Sequence, residues 1–396
     1  MTRSPSWIIL KSEIAFPTAL RSFFLTFFCS CLASTMIRLY LLLWHRILHA
    51  SITVKNLLGI LLITVALVPT ANAGVVLLYH HVSDDTPAIT SISPAQFEKH
   101  LKILQAENFS VLPLDQLLSR ALEGEGEQLN VAITFDDAYR SIYTTAYPML
   151  KSLNWPFTIF VATKYVSDSN PHYLSWDQLS EMANNGVTIA NHTHSHGHLT
   201  RRLPNETPQN WAIRIRAEIN DAEKILFDAG FTSRLIAYPY GEYDLDLLTL
   251  IHSMDMIGFG QQSGAIGPYS NPLLLPRFPL AGVYVGENAF RDKIRSLAMP
   301  IRHPDIEPLI TDNAMPPLPL SFVDETIDTD RLTCYGPGGL AALSETGPGQ
   351  ITATPMEEVP VGRSRYNCTL PKGNRFYWFS QLWIRKLDDG SWYAEP

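Results

Sequence analysis

The sequence predicts an α/β fold of parallel strands joined by crossover helices, with a small disulfide-stapled β region after it. Two observations carry the first part: short β-branched, apolar runs end at polar residues, and amphipathic helical stretches alternate with them. A third carries the second part. Beyond a proline-rich stretch the chain changes to short alternating runs that hold two cysteines, Cys334 and Cys368. At 396 residues, 46% hydrophobic and 17% charged, the chain has room for more than one globular unit. Its formal net charge of −8 argues against nucleic acid as a partner and gives no reason to seek an anionic membrane surface.

Residues 1–73 are expected to stand outside the fold. Leu57 to Val68 form an apolar core preceded by Lys55 and followed by Ala71-Asn72-Ala73, a small-x-small site, so cleavage is expected near Ala73/Gly74. The run is short of the roughly 20 residues that a spanning helix needs, and no stable membrane span is expected in the mature chain. A second apolar region, Phe23 to Leu43, is broken by Arg38; it is consistent with a start later than Met1, at Met36 for instance, or with a genuine N-terminal anchor. Export to the periplasm or medium follows from the leader. Cys29 and Cys31 fall within the segment expected to be lost, which leaves Cys334 and Cys368 to form one disulfide.

The expected mature chain opens with Val75 to Val82, a buried-strand pattern ending in Tyr79-His80-His81. Ser93-Pro94 then supplies an N-cap and a first-turn proline to an amphipathic helix with Phe97, Leu101 and Leu104 on one face. His100 belongs to that helix as a face residue. Gly124 to Glu127 is a polar turn into the run Val131-Ala132-Ile133-Thr134-Phe135, which stops at Asp136 and Asp137. Side chains alternate along a strand, so two neighbouring carboxylates at its end can take different tasks, one on a metal and one moving a proton. A helix over Ala146–Leu153, a strand near Pro156–Val161 and a helix opening at Trp176 continue the alternation.

The next strand, from Gly186, runs into His192-Thr193-His194-Ser195-His196-Gly197-His198. Four of the chain's twelve histidines lie here at alternate positions. Packing does not explain that density, whereas two imidazoles and one carboxylate leave a tetrahedral zinc with a fourth position for water. Spacing alone permits His192/His196 or His194/His198 as an i, i+4 pair on a helical turn.

Taken together, Thr134-Phe135-Asp136-Asp137, His192 to His196 and Ala237-Tyr238-Pro239-Tyr240-Gly241 resemble the three main motifs of the polysaccharide deacetylases, carbohydrate esterase family four. The resemblance covers about Val75 to Pro279, and the Tyr79-His80 strand end is similar to that of members acting on poly-N-acetylglucosamine. It implies a distorted (β/α) barrel of about seven strands with the site at the C-terminal strand ends. It also implies a divalent metal, Zn2+ by preference, on Asp137, His192 and His196, with Asp136 as catalytic base and His80 as proton donor. The Tyr240 N–H would help hold the oxyanion, with Pro239 and Trp176 as substrate-binding neighbours. The substrate class would be an N-acetylated extracytoplasmic polysaccharide: poly-N-acetylglucosamine, a chitin-like polymer or a peptidoglycan glycan.

Two departures from the family stand out. The Arg that often precedes the aromatic-Pro pair and holds the catalytic Asp is Ala237 here, so what orients Asp136 is open. The late Leu-x-His is not recognisable; His303 lies in the right region but within a proline-rich stretch, and ranks below His80 as the acid. These departures support a second reading, a deacetylase fold that has lost activity and binds glycan. The domain boundaries expected are 74–299 for the catalytic domain, 300–319 for a linker and 320–396 for a small β domain, whose Trp and Tyr residues are expected chiefly as core.

Overall fold

The computed structural model describes residues 73–124, 129–302 and 309–394. The leader-like segment up to Asn72, with Cys29 and Cys31, and also His303, lie outside these residues. Among the described residues, no helix is long and apolar enough to cross a membrane.

The first large sheet is built from parallel strands β1 (Gly74–Tyr79), β2 (Asn130–Phe135), β3 (Thr158–Val161), β4 (Thr188–Asn191), β5 (Leu235–Ala237), β6 (Ile257–Phe259) and β7 (Phe278–Pro279). Their spatial order is β7-β1-β2-β3-β4-β5-β6, with the two-residue strand Ser110–Val111 added beside β2. The last strand in sequence therefore lies beside the first, in register Leu77 to Phe278. Just before β7, Leu275 bridges to Phe259 at the far edge of the order, so the segment 275–279 links β6 to β1 and curves the sheet towards a barrel.

Both faces of this sheet are covered, which is why its strands are continuous apolar runs. Val76, Ala132, Phe160, Ala190, Ala237 and Phe259 point to one core, with Leu117 and Ala121 of helix α1 (Leu114–Glu123) packed against them. Val75, Leu77, Val131 and Ile133, one residue out of step, point to the other, under the crossover helices. The helix predicted from Ser93 runs Pro94–Ala106, and the Ser93 hydroxyl accepts the Gln96 N–H as expected of an N-cap. His100 is on its buried face, ring-stacked on Phe290 and bonded to Tyr79 Oη and the Val285 carbonyl. Trp176 opens helix α2 (Trp176–Ala183), capped by a reciprocal Ser175–Gln178 box.

The C-terminal region is mostly antiparallel, as the alternating runs predict, with two short strands added in parallel at Leu297–Ala298 and Ile310–Thr311. Its centre is the hairpin of β8 (Gly362–Lys372) and β9 (Arg375–Arg385), and Cys334 is disulfide-bonded to Cys368 across the adjoining strand pair. Trp383 and Tyr366 are buried there, as core. Within the proline-rich 300–319, the described stretches are short strands: Ile301–Arg302 pairs with Leu318–Phe322, and Ile310–Thr311 with β9. Leu297–Ala298 also joins β9, and Trp378 sets its ring edge-on against Phe278 of β7 at 5.2 Å. The described residues belong to one compact unit.

Candidate active site

Asp136 and Asp137 follow β2, which ends at Phe135. Strand alternation is therefore not what separates the two carboxylates: Asp137 and Ala138 both take left-handed backbone, φ 71° and 65°, and the chain turns sharply there. Asp136 keeps the inward parity of Ala132 and Thr134 and is wholly buried.

Its partner is Arg277, also wholly buried, immediately before β7. The guanidinium grips the carboxylate with both oxygens, Nη1 to Oδ1 at 2.7 Å and Nη2 to Oδ2 at 2.8 Å, and its Nε donates to the Gly260 carbonyl at 3.0 Å. The rings of Phe160 and Phe259 flank it. Such a forked pair is both strong and directional. Burial alone would raise the Asp136 carboxyl; the positive charge and hydrogen bonds of Arg277 override it and hold the group below its ordinary range. Arg277 thus holds Asp136 from the segment just before β7. Sequence reading missed it because the two residues are 141 apart and only the neighbouring of β7, β1 and β2 brings them together.

Asp137 meets His192 and His196. Its Oδ1 lies 3.3 Å from His192 Nε2 and 3.1 Å from His196 Nε2, and ligand atoms of the three residues lie within 4.8 Å of one another. The pair is not on a helical turn. His192 follows β4 directly, and Thr193 and His196 are left-handed, φ 68° and 58°, so the stretch is a tight loop that folds one imidazole back over the other. The Thr193 hydroxyl accepts the His196 N–H and helps fix that loop.

The other two histidines of the cluster go elsewhere. His194 Nδ1 pairs with the Thr163 hydroxyl at 3.0 Å, and His198 Nδ1 with the Glu242 carboxylate at 2.8 Å. Spacing could not choose between the pairs; the geometry brings His192 and His196 to Asp137.

The donor set fits a cation. His192 Nδ1 is 2.8 Å from the Ala237 carbonyl, which can only accept, so the proton sits on Nδ1 and the Nε2 lone pair faces the triad. That buried Nε2 has no hydrogen-bond partner. A lone pair confronting a carboxylate at 3.3 Å is an unfavourable pairing, which a divalent cation held by Asp137, His192 and His196 would relieve. The carbonyl contact behind the imidazole is the usual support of a metal-binding histidine.

His80, just past β1, lies within electrostatic reach of Asp136, Asp137, Arg277 and His192. Burial lowers its pKa, and the two carboxylates oppose that. His81 instead stacks on Tyr139 at 3.6 Å, a packing role as expected. Tyr139, which sequence reading passed over, has its hydroxyl pushed upward, by burial first and then by the charge of Asp137.

Pro239-Tyr240-Gly241 forms one tight turn after β5. Tyr240 has φ 60°, and Gly241 at φ 68° has no room for a Cβ, which would meet the Gln261 backbone N at 2.8 Å. The Tyr240 ring packs edge-on to His196 at 4.7 Å and flat on His198 at 4.1 Å, so this turn borders the triad. Trp176 is half-buried against the barrel core and makes no described contact with the triad residues.

The comparisons agree with this geometry. The family model described as polysaccharide deacetylase matches residues 123–258. A poly-beta-1,6-N-acetyl-D-glucosamine N-deacetylase of Staphylococcus aureus is 31% identical over 211 residues, 52% of this chain and 71% of that protein. In structure, the Streptococcus pyogenes deacetylase PplD, solved with acetate, matches with a TM-score of 0.50 at 22% identity, over 57% of this chain and 99% of PplD. With the motif residues assembled at the C-terminal ends of the strands and a relative of this similarity, the chain belongs to the polysaccharide deacetylase family.

Proposed function

We propose that this chain is a metal-dependent, exported hydrolase that removes N-acetyl groups from an N-acetylhexosamine polysaccharide, with poly-N-acetylglucosamine the favoured polymer. The observation that carries it is the unpartnered His192 Nε2 facing Asp137 beside a separately held, buried Asp136. Asp137, His192 and His196 would hold a divalent ion, Zn2+ by preference. When bound, such an ion polarises the amide carbonyl and lowers the pKa of water at the site to about 7.

The protein's own groups divide the rest. Asp136, kept ionised by Arg277, takes the proton of the attacking water. Arg277 fixes the direction of the accepting oxygens, so little reorganisation accompanies the transfer. The Tyr240 N–H stabilises the developing oxyanion. His80 returns a proton to the leaving sugar nitrogen, for which its electrostatic reach to both carboxylates suits it.

The binding-only reading loses one of its two supports. It rested in part on Ala237, and Arg277 supplies the missing hold on Asp136 from another strand. The test is acetate release from a panel of N-acetylated glycans by metal-loaded protein, with metal content measured in parallel. Release that depends on metal and prefers poly-N-acetylglucosamine is expected; bound metal with no acetate from any glycan would overturn the reading.

A further inference from the structure

We propose that Arg363, in the C-terminal sheet and outside the residues that the family model matches, is a positioning residue for the Tyr240 turn. The inference rests on the deacetylase reading, because the turn's importance is that Tyr240 offers its N–H to the oxyanion.

Arg363 lies on β8. Its Nη1 donates to Glu242 Oε1 at 2.8 Å, and its guanidinium carbon stands 5.2 Å from the centre of the Tyr240 ring. Glu242, two residues after Tyr240, is wholly buried, and both of its oxygens are occupied. Oε2 accepts from His198 on the barrel side at 2.8 Å; Oε1 accepts from Arg363 and from the Tyr393 hydroxyl, 2.9 Å away, on the C-terminal side. Arg363 also donates to that hydroxyl at 3.2 Å, which ties the last described stretch of chain to the same carboxylate.

Glu242 is therefore a joint between the barrel and the added β region. The turn it follows needs one. Tyr240 holds a left-handed conformation that a non-glycine residue keeps only when its surroundings enforce it. His198 against the ring, Glu242 beneath the following residue and Arg363 over the ring together enforce it. A donor that acts in the transition state must be aimed before the reaction. Loosening the turn then costs turnover more than substrate binding.

The test compares Arg363→Met and Arg363→Lys with the full-length wild type, each metal-loaded. Arg363→Met should lower kcat about tenfold to a hundredfold, with KM and metal stoichiometry unchanged. Arg363→Lys, which keeps the charge without the fork, should recover part of that loss at an unchanged Tm. Amide exchange should quicken at Tyr240 and Gly241 in Arg363→Met but not in β2. Wild-type kcat and exchange would overturn the inference. So would a rise in KM alone, which would make Arg363 a substrate contact. If Arg363→Met does not fold, Arg363→Lys decides by the same readings. If the wild type releases no acetate, the deacetylase reading fails while the exchange measurement still judges the brace.

Discussion

Two adjacent carboxylates, one residue apart in sequence, sit in opposite electrostatic conditions. Asp136 is complete: both oxygens are taken by Arg277, and no further charge is called for. Asp137 is incomplete: it faces two imidazole nitrogens, one of them a lone pair with no partner. Burial of a charge is tolerated only when it is paired, so the difference separates the carboxylate that the protein's own guanidinium pairs from the one whose neighbours could hold a cation.

The largest effect should come from the incomplete half. His192→Ala with His196→Ala is expected to lose both stoichiometric metal and all turnover, read by elemental analysis and acetate release; metal retained in the double variant would abolish the distinction between the two aspartates. Next come changes to the complete half. Asp136→Asn should keep its metal and lose turnover by about 10²–10⁴, and metal loss there would mean that the aspartates have exchanged roles.

Arg277→Met should destabilise the fold by about 3–5 kcal/mol, since it strands a buried carboxylate. The Asp136 pKa, held low by Arg277, would rise in that variant. The acid limb of the rate profile would therefore move to higher pH. In the wild type, the pairing stabilises the fold above the ordinary Asp value of about 3.9 and is lost as pH falls through the depressed one. A limb that stays in place in Arg277→Met would remove Asp136 from the role of base.

His80 lies within electrostatic reach of both aspartates and should report on both. His80→Ala is expected to cut turnover with metal retained. In metal-free protein, Asp136→Asn should lower the His80 pKa further, because one of the two carboxylates that raise it is gone while Arg277 remains. An NMR titration showing a rise instead would place His80 away from the pair. The smallest effect belongs to His194→Ala and His198→Ala, whose metal content should stay near the wild-type value because their imidazoles are bonded to Thr163 and Glu242.

How much of this was legible in the sequence follows from the range of the interactions. The run Val131–Phe135, the N-cap at Ser93 and the Cys334–Cys368 pair are local or compositional, and the structure has them in place. The histidine pair was identified, but its conformation was not, since the loop turns on a left-handed Thr193, a β-branched residue that gives no signal of such a backbone. Arg277, Glu242 and Arg363 were invisible for a different reason. Each acts between segments far apart in the chain that only the folded structure brings together, Arg277 on Asp136 through the order β7-β1-β2 and Arg363 on Glu242 from a different sheet, and the bond that sets the His192 tautomer goes to a backbone carbonyl, which any residue at 237 would offer.

That dependence on the last strand has a kinetic meaning. The matched family core, residues 123–258, already contains Asp136, Asp137, His192 and His196, yet a chain that stops there would carry Asp136 as a buried charge with no counterion. Asp136 gains its counterion only when the segment before β7 docks beside β1, a contact between the two ends of the barrel and so among the slowest kinds to form. Turnover during refolding should then lag behind the recovery of helical and sheet signals, with activity serving as a clock for the moment the ring shuts.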